Sequence, residues 1–257
     1  MTAPRVEIDL DKICHNARIL VQRLADRGIS VTAVTKATLG SSEIAGALLQ
    51  AGVDALGDSR IENIEAMRRA NVPSSMTLIR SPMLSRASRV VKQADISFNP
   101  EPDVISKLSA FAQKARRTHG IVLMVELGDL REGIMPEDLE NAVRETLRLP
   151  YIAFKGIATN LACRSGVSPD ARNMAELSAL ADSIEAKFGL TVEIVSGGNS
   201  ANLPWALSGA DTGRINDLRL GESILLGREP LHRQPIDGLH TDAITLIAEV
   251  IESKVKP

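Results

Sequence analysis

The run "SVTAVTK" (30–36) is apolar and β-branched until it stops on a lysine. A lysine closing a strand either snorkels into solvent or uses its amine, because burial favours the neutral form that attacks an aldehyde. Two later stretches hold the same place after an apolar run. "SGGNSANLP" (196–204) offers small positions where backbone N–H groups can approach an anion, and Ser200 adds a hydroxyl. A Gly-Gly pair after a strand is also an ordinary turn. In "LRLGES" (218–223), Arg219 alone would default to a surface salt bridge.

These residues gain meaning from the elements that must position them. "SSEIAGALLQAG", "RIENIEAMRRAN", "MLSRASRVVKQA", "EPDVISKLSAFAQKARRTHG", "MPEDLENAVRETLRL" and "ARNMAELSALADSIEAKFG" carry helical patterns. Between them lie the strand-like runs "VDALG", "MTLIR", "DISFN", "IVLMVEL", "FKGIATN" and "TVEIVSGG". "RINDLR" and "ESILLG" read as further strand-like runs, "VEIDL" (6–10) as a half-buried strand, and Asp11 as the N-cap of the helix after it. About eight strand–helix units point to a (β/α)8 TIM barrel. A doubly wound sheet is the alternative, but no GxGxxG stands at a strand–helix turn. After residue 229 the helical period vanishes, and "AITLIAEVIESKV" alternates like an antiparallel strand. The expectation is a barrel over 1–229, with 230–257 as linker and first strand of a truncated, β-rich C-terminal domain.

In a barrel, functional residues lie at the C-terminal ends of strands. Lys36, Arg80, Arg131, Asn160, the run 196–200 and the region 219–223 all fall there. The loops after strands seven and eight commonly hold a phosphate, and they are "SGGNS" and "LGES" by this count. A Schiff-base lysine facing a phosphate cradle describes pyridoxal 5′-phosphate. Beneath a pyridine ring, Arg219 could only donate, since its pKa exceeds about 12. The weaker electron sink that results suits return of a proton to Cα over transamination or decarboxylation.

Together "VEIDL…HN", "AVTK", "VELGDLREG", "GIATNLAC", "SGGNSANLP" and "INDLRLGESILLGRE" resemble the alanine racemase N-terminal-domain family of pyridoxal-phosphate barrels. "GDSRIENI", "LIRSPML", "TNLACRSGVSP" and "LGESILLGRE" look most like its ornithine racemase branch. The resemblance spans residues 4–256. It implies that Lys36 forms the Schiff base and is the base on one substrate face. Arg219 would contact the pyridine nitrogen, and Ser200 with the backbone of Gly221 and Glu222 would hold the phosphate. Asn199 would line that pocket, and Arg131 would contact the phenolic oxygen and the substrate carboxylate. Asn160 stands where alanine racemases carry a histidine facing the ring.

Two departures matter. The family's phosphate-binding tyrosine, four residues after the lysine, is replaced by Gly40. The second base of the full-length family is a tyrosine of the C-terminal domain presented across a homodimer interface, and this chain stops as that domain begins. Its only tyrosine, Tyr151, precedes strand six and belongs at the opposite barrel end. Loss of a positioned acid typically costs about 10²–10⁴-fold.

The expected function is therefore racemisation of ornithine or a similar basic amino acid. A non-catalytic pyridoxal-phosphate carrier is the alternative, and a decarboxylase of the same cofactor class is disfavoured by Arg219. Cys163 reads as a small semi-buried hydrophobe, with a stand-in acid/base role as the minority reading. Arg60 and Arg80 could hold a carboxylate, and Asp58 and Glu62 could pair with them or with a basic side chain. Two distant cysteines and four scattered histidines give no metal site or disulfide framework. With 30 basic and 32 acidic residues and 2% aromatics, nothing marks a nucleic-acid or membrane surface. The charged N-terminus lacks a signal peptide's apolar segment, and the expected compartment is the cytoplasm.

Overall fold

The computed structural model describes residues 2–162 and 166–255, so Cys163 lies outside the described residues. The first strand, β1 (Arg5–Ile8), stands apart from the rest and pairs antiparallel with the last, β10 (Ile244–Ile247), from Arg5↔Ile247 to Ile8↔Ile244. Between them, β2 (Ser30–Val34), β3 (Ala55–Asp58), β4 (Met76–Leu78), β5 (Ile96–Asn99), β6 (His119–Met124), β7 (Ile152–Ala158), β8 (Ile194–Asn199) and β9 (Asp217–Leu220) close into a parallel barrel. Closure runs through β2 and β9, from Ser30↔Asp217 to Ala33↔Leu220. The (β/α)8 expectation holds.

Strand alternation sorts the side chains. In β9, Leu218 and Leu220 join the large core between barrel and helices, while Asp217 and Arg219 take the opposite, interior face. In β2, Val31 and Ala33 join that core and Thr32 faces inward against Asp217. Phe98, Val122, Met124 and Ala158 form a separate, smaller apolar cluster. The interior is thus apolar in part and polar where β2, β8 and β9 meet.

Four local readings are corrected. "ESILL" is a helix, Glu222–Leu226, because the chain turns at Gly221 and closes helical bonds such as Leu225 N to Gly221 O at 3.0 Å. The helix Leu10–Ala25 is capped by Asp9, whose carboxylate accepts from the Lys12 N–H at 3.0 Å, and Asp11 lies inside its first turn. "VEIDL" contributes a strand, but a largely exposed one rather than a half-buried one, in the β1–β10 ribbon. The strand before Lys36 stops at Val34, and Lys36 opens a 3₁₀ turn, Lys36–Thr38. Tyr151 does sit immediately before β7, exposed, at the barrel end away from the strand C-termini. Among the described residues, no helix is long and apolar enough to cross a membrane.

Candidate active site

A cavity of about 390 Å³ is lined by residues that follow the C-terminal ends of the barrel strands. Lys36, Arg80, Arg131, Asn160, Asn199, Ser200, Arg219, Gly221 and Glu222 all border it, so the cofactor and catalytic candidates named from the sequence reach one hollow.

Lys36 is exposed toward solvent rather than buried as a strand residue would be. The backbone leaves the sheet at Thr35, whose carbonyl accepts from the N–H groups of Thr38 at 3.1 Å and Gly40 at 3.3 Å. Beneath this turn, the fully buried Asp58 carboxylate accepts from the Thr35 hydroxyl at 2.8 Å, from the Arg60 N–H at 2.8 Å and from the Asn63 amide at 3.0 Å. Asp58 is therefore committed to anchoring the lysine's turn. Glu62 pairs with Arg86 and Arg89 on the surface. Neither acid, nor Arg60, borders the cavity.

Arg219 is buried at the cavity floor. It donates from Nη1 to the Ser196 hydroxyl at 2.6 Å and from Nη2 to the Thr159 carbonyl at 2.7 Å and Asn160 Oδ1 at 3.4 Å. Those bonds use three of its five N–H groups. The guanidinium also lies 5.1 Å from the centre of the Phe98 ring, a cation–π contact. Burial brings its pKa down to about 10, with the Asp217 charge opposing the shift, so it stays cationic at neutral pH. Asp217 is held by the hydroxyls of Thr32, at 2.7 Å, and Ser196. Burial pushes the Asp217 carboxyl up.

Arg219 belongs to a longer network. Asn199 donates to Asn160 Oδ1 at 3.1 Å and to the Leu161 carbonyl at 2.9 Å. Asn160 in turn donates to Asp129 at 3.3 Å, and Arg131 Nε lies 3.6 Å from the same carboxylate. Asn160 is thereby tied to Arg219 directly and to Arg131 through Asp129. Arg80 approaches Glu132 at 3.8 Å, and Glu132 also accepts from Arg131 at 3.2 Å.

On the other side, Ser200 Oγ gathers donors from the loop after β9. It lies 3.4 Å from the Gly221 N–H, 3.2 Å from the Ser223 N–H and 3.0 Å from the Ser223 hydroxyl. Hydroxyls and N–H groups converging this way fit an oxyanion of a phosphate ester. Gly198 is required here, since a Cβ at its φ of +143° would overlap Asn202 Oδ1, which orders the same loop by accepting from Asn199 N–H at 3.1 Å. Glu132 and Arg233, both unmarked in the sequence reading, also belong to this region, as does Ser223 from the marked run 219–223. Arg233 lies in a stretch with no periodic signal.

Residues 8–229 match the family model described as "Alanine racemase, N-terminal domain". An ornithine racemase of Acetoanaerobium sticklandii is 36% identical over 255 residues, covering 99% of this chain and 72% of that protein. A lysine racemase of Thermotoga maritima is 37% identical over 257 residues, covering all of this chain and 72% of that protein. Among solved structures, an alanine racemase of Clostridium difficile 630 superposes with a TM-score of 0.74 at 20% identity. That superposition covers 96% of this chain, and this chain spans 63% of that one. The barrel, the strand-end cavity and these matches agree, and the chain belongs to the alanine racemase N-terminal-domain family.

Proposed function

We propose that this chain is the cofactor-binding barrel of a pyridoxal 5′-phosphate-dependent amino-acid racemase acting on ornithine, lysine or a similar basic amino acid. The observation that carries the reading is the meeting, around one cavity, of an exposed lysine, a buried arginine and a cluster of anion-compatible donors. The two curated relatives that match nearly the whole chain, an ornithine and a lysine racemase, support the substrate class.

The residues fit the group. Ser200 with the N–H groups of Gly221, Glu222 and Ser223 would hold the phosphate, Lys36 would bind the aldehyde carbon, and Arg219 would meet the pyridine nitrogen. Bound there, pyridoxal phosphate supplies an electron sink for the pair left at Cα when its proton departs. The exposed amine of Lys36 removes and returns that proton on its own face. Arg219 remains a donor at neutral pH and withholds a proton from the ring nitrogen, which limits the sink and favours reprotonation at Cα. Arg131 and Arg80 are the cations available to a substrate carboxylate across the cavity, and Glu132 beside them is an acid available to a distal ammonium. Asn199 and Asn160 keep the floor rigid. Delivery on the second face needs a group beyond those described, and we assign it to a C-terminal β domain working in a homodimer.

A carrier role is the weaker reading, because the curated relatives matching nearly the whole chain are racemases. The deciding experiment combines a spectrum with isotope exchange. Borohydride should fix the cofactor on Lys36, and of the separate L and D forms of ornithine and lysine in D₂O, the enantiomer whose Cα–H faces Lys36 should take up deuterium. That exchange needs only the Lys36 face. Cofactor fixed on Lys36 without exchange of any amino acid would return the chain to the carrier reading.

A further inference from the structure

The donors gathered by Ser200 are all neutral, whereas a phosphate monoester carries nearly two negative charges at pH 7. The position that could add a side chain from the Lys36 turn cannot do so. Gly40 has a φ of +69°, and a Cβ there would lie 2.8 Å from the Asn63 carbonyl oxygen and 2.9 Å from Asn63 Cβ. The other cavity cations are engaged elsewhere. Arg219 is tied to Ser196 and Thr159. Arg80 and Arg131 follow β4 and β6, across the closed barrel from β9.

With Lys36 assigned to the aldehyde, one cavity cation remains on the phosphate side among the described residues. Arg233 borders the cavity and pairs with Glu222, the residue between the two N–H donors of the cradle. Its place is built rather than incidental. The buried carboxylate of Glu229 accepts from the N–H groups of Leu231 at 2.7 Å, His232 at 3.0 Å and Gln234 at 2.9 Å. This turn holds Arg233 at a φ of +61°, a left-handed conformation that costs a non-glycine residue on the order of 1 kcal/mol. The Arg228 guanidinium clamps the Arg233 carbonyl at 3.0 Å. The Arg233 and Glu222 side chains are 66% and 35% exposed, and an ion pair that open contributes little. Exchanging the carboxylate for a phosphate therefore costs little, and a guanidinium matches two phosphate oxygens at once.

We propose that Arg233 is the cation of the phosphate site: it is held in waiting on Glu222 and turns to the phosphate ester when the cofactor arrives. The proposal rests on the cofactor reading above. It makes Arg233 the residue that selects the phosphorylated aldehyde over the free one.

The test is equilibrium titration of the full chain with pyridoxal 5′-phosphate and with pyridoxal, followed by absorbance, at low and high salt. Arg233→Ala should weaken the phosphate ester about tenfold or more and leave pyridoxal unchanged. It should also flatten the salt dependence of the phosphorylated ligand. Arg233→Lys, which keeps the charge but loses the fork, should fall between. Equal weakening of both ligands, or no change in either, overturns the assignment while leaving the cofactor reading intact. Wild-type protein that binds neither and gives no borohydride adduct at Lys36 overturns the cofactor reading itself, and Arg233's role with it.

Discussion

Arg219 donates to the Ser196 hydroxyl at 2.6 Å, and the same hydroxyl is held by the Asp217 carboxylate. One small side chain thus joins a buried cation to a buried acid inside the barrel, without direct contact between the two charges. Arg219→Lys keeps the charge but cannot reach Ser196, Thr159 and Asn160 together. The expected loss is about 1–3 kcal/mol in urea unfolding. Combined with Ser196→Ala in a double-mutant cycle, it should show a coupling above about 0.5 kcal/mol. Simple additivity would mean the shared hydroxyl does not organise the pair.

Asp58 performs a parallel task under Lys36. Asp58→Ala leaves the Thr35 hydroxyl, the Arg60 N–H and the Asn63 amide without their acceptor, at a cost of about 3 kcal/mol. Thr35→Val removes only the hydroxyl and spares most of that stability. Both should lower the yield of borohydride-fixed cofactor under conditions where circular dichroism shows a folded barrel. A full yield in Thr35→Val would show that the lysine's turn holds without this anchor.

The parts of the fold legible in the sequence are those set by burial on both faces. "SVTAV" and "IVLM" read as continuous apolar runs because parallel strands are covered inside and out. "ESILL" did not read as a helix, since five residues are too few to show a helical period. The pairing of residues 5–8 with 244–247 joins opposite ends of the chain, and no local pattern encodes it. The site was legible in Lys36, Ser200 and Arg219 because chemistry dictates their types. It was not legible in Asp58, for which the sequence left open a partner arginine or a basic substrate side chain and which is a buried anchor, or in Arg233, which only the Glu229 turn brings to the cavity.

Gly40 is constrained by both its backbone and its neighbour. Gly40→Ala puts a Cβ at a φ of +69° and within 2.8 Å of a backbone oxygen. Loss of about 2 kcal/mol or more is expected from left-handed strain plus overlap. Urea midpoints compare it with Gly28→Ala, where φ is +70° and no atom lies within 4 Å of the added Cβ. Gly28→Ala should show the strain alone, and equal losses would contradict the crowding at Asn63.

His119 couples the barrel's stability to acid. It is fully buried at the start of β6, with its Nε2 2.8 Å from the Ser97 hydroxyl. Burial first, and the Arg117 charge second, lower its pKa from 6.5 to about 4. The folded state therefore holds a neutral imidazole where the unfolded chain takes up a proton. Its contribution is complete above pH 6.5 and is lost as pH falls through about 4, a loss of about 3 kcal/mol. The buried Asp217 carboxyl, pushed up, acts in the opposite sense on acidification, so the His119 contribution must be isolated by difference. His119→Gln keeps a hydrogen-bonding group beside Ser97 and removes the titration. Urea unfolding from pH 7 to pH 4 should show wild type losing about 3 kcal/mol more than the variant. Parallel curves would mean that the imidazole titrates in the fold as it does in the unfolded chain.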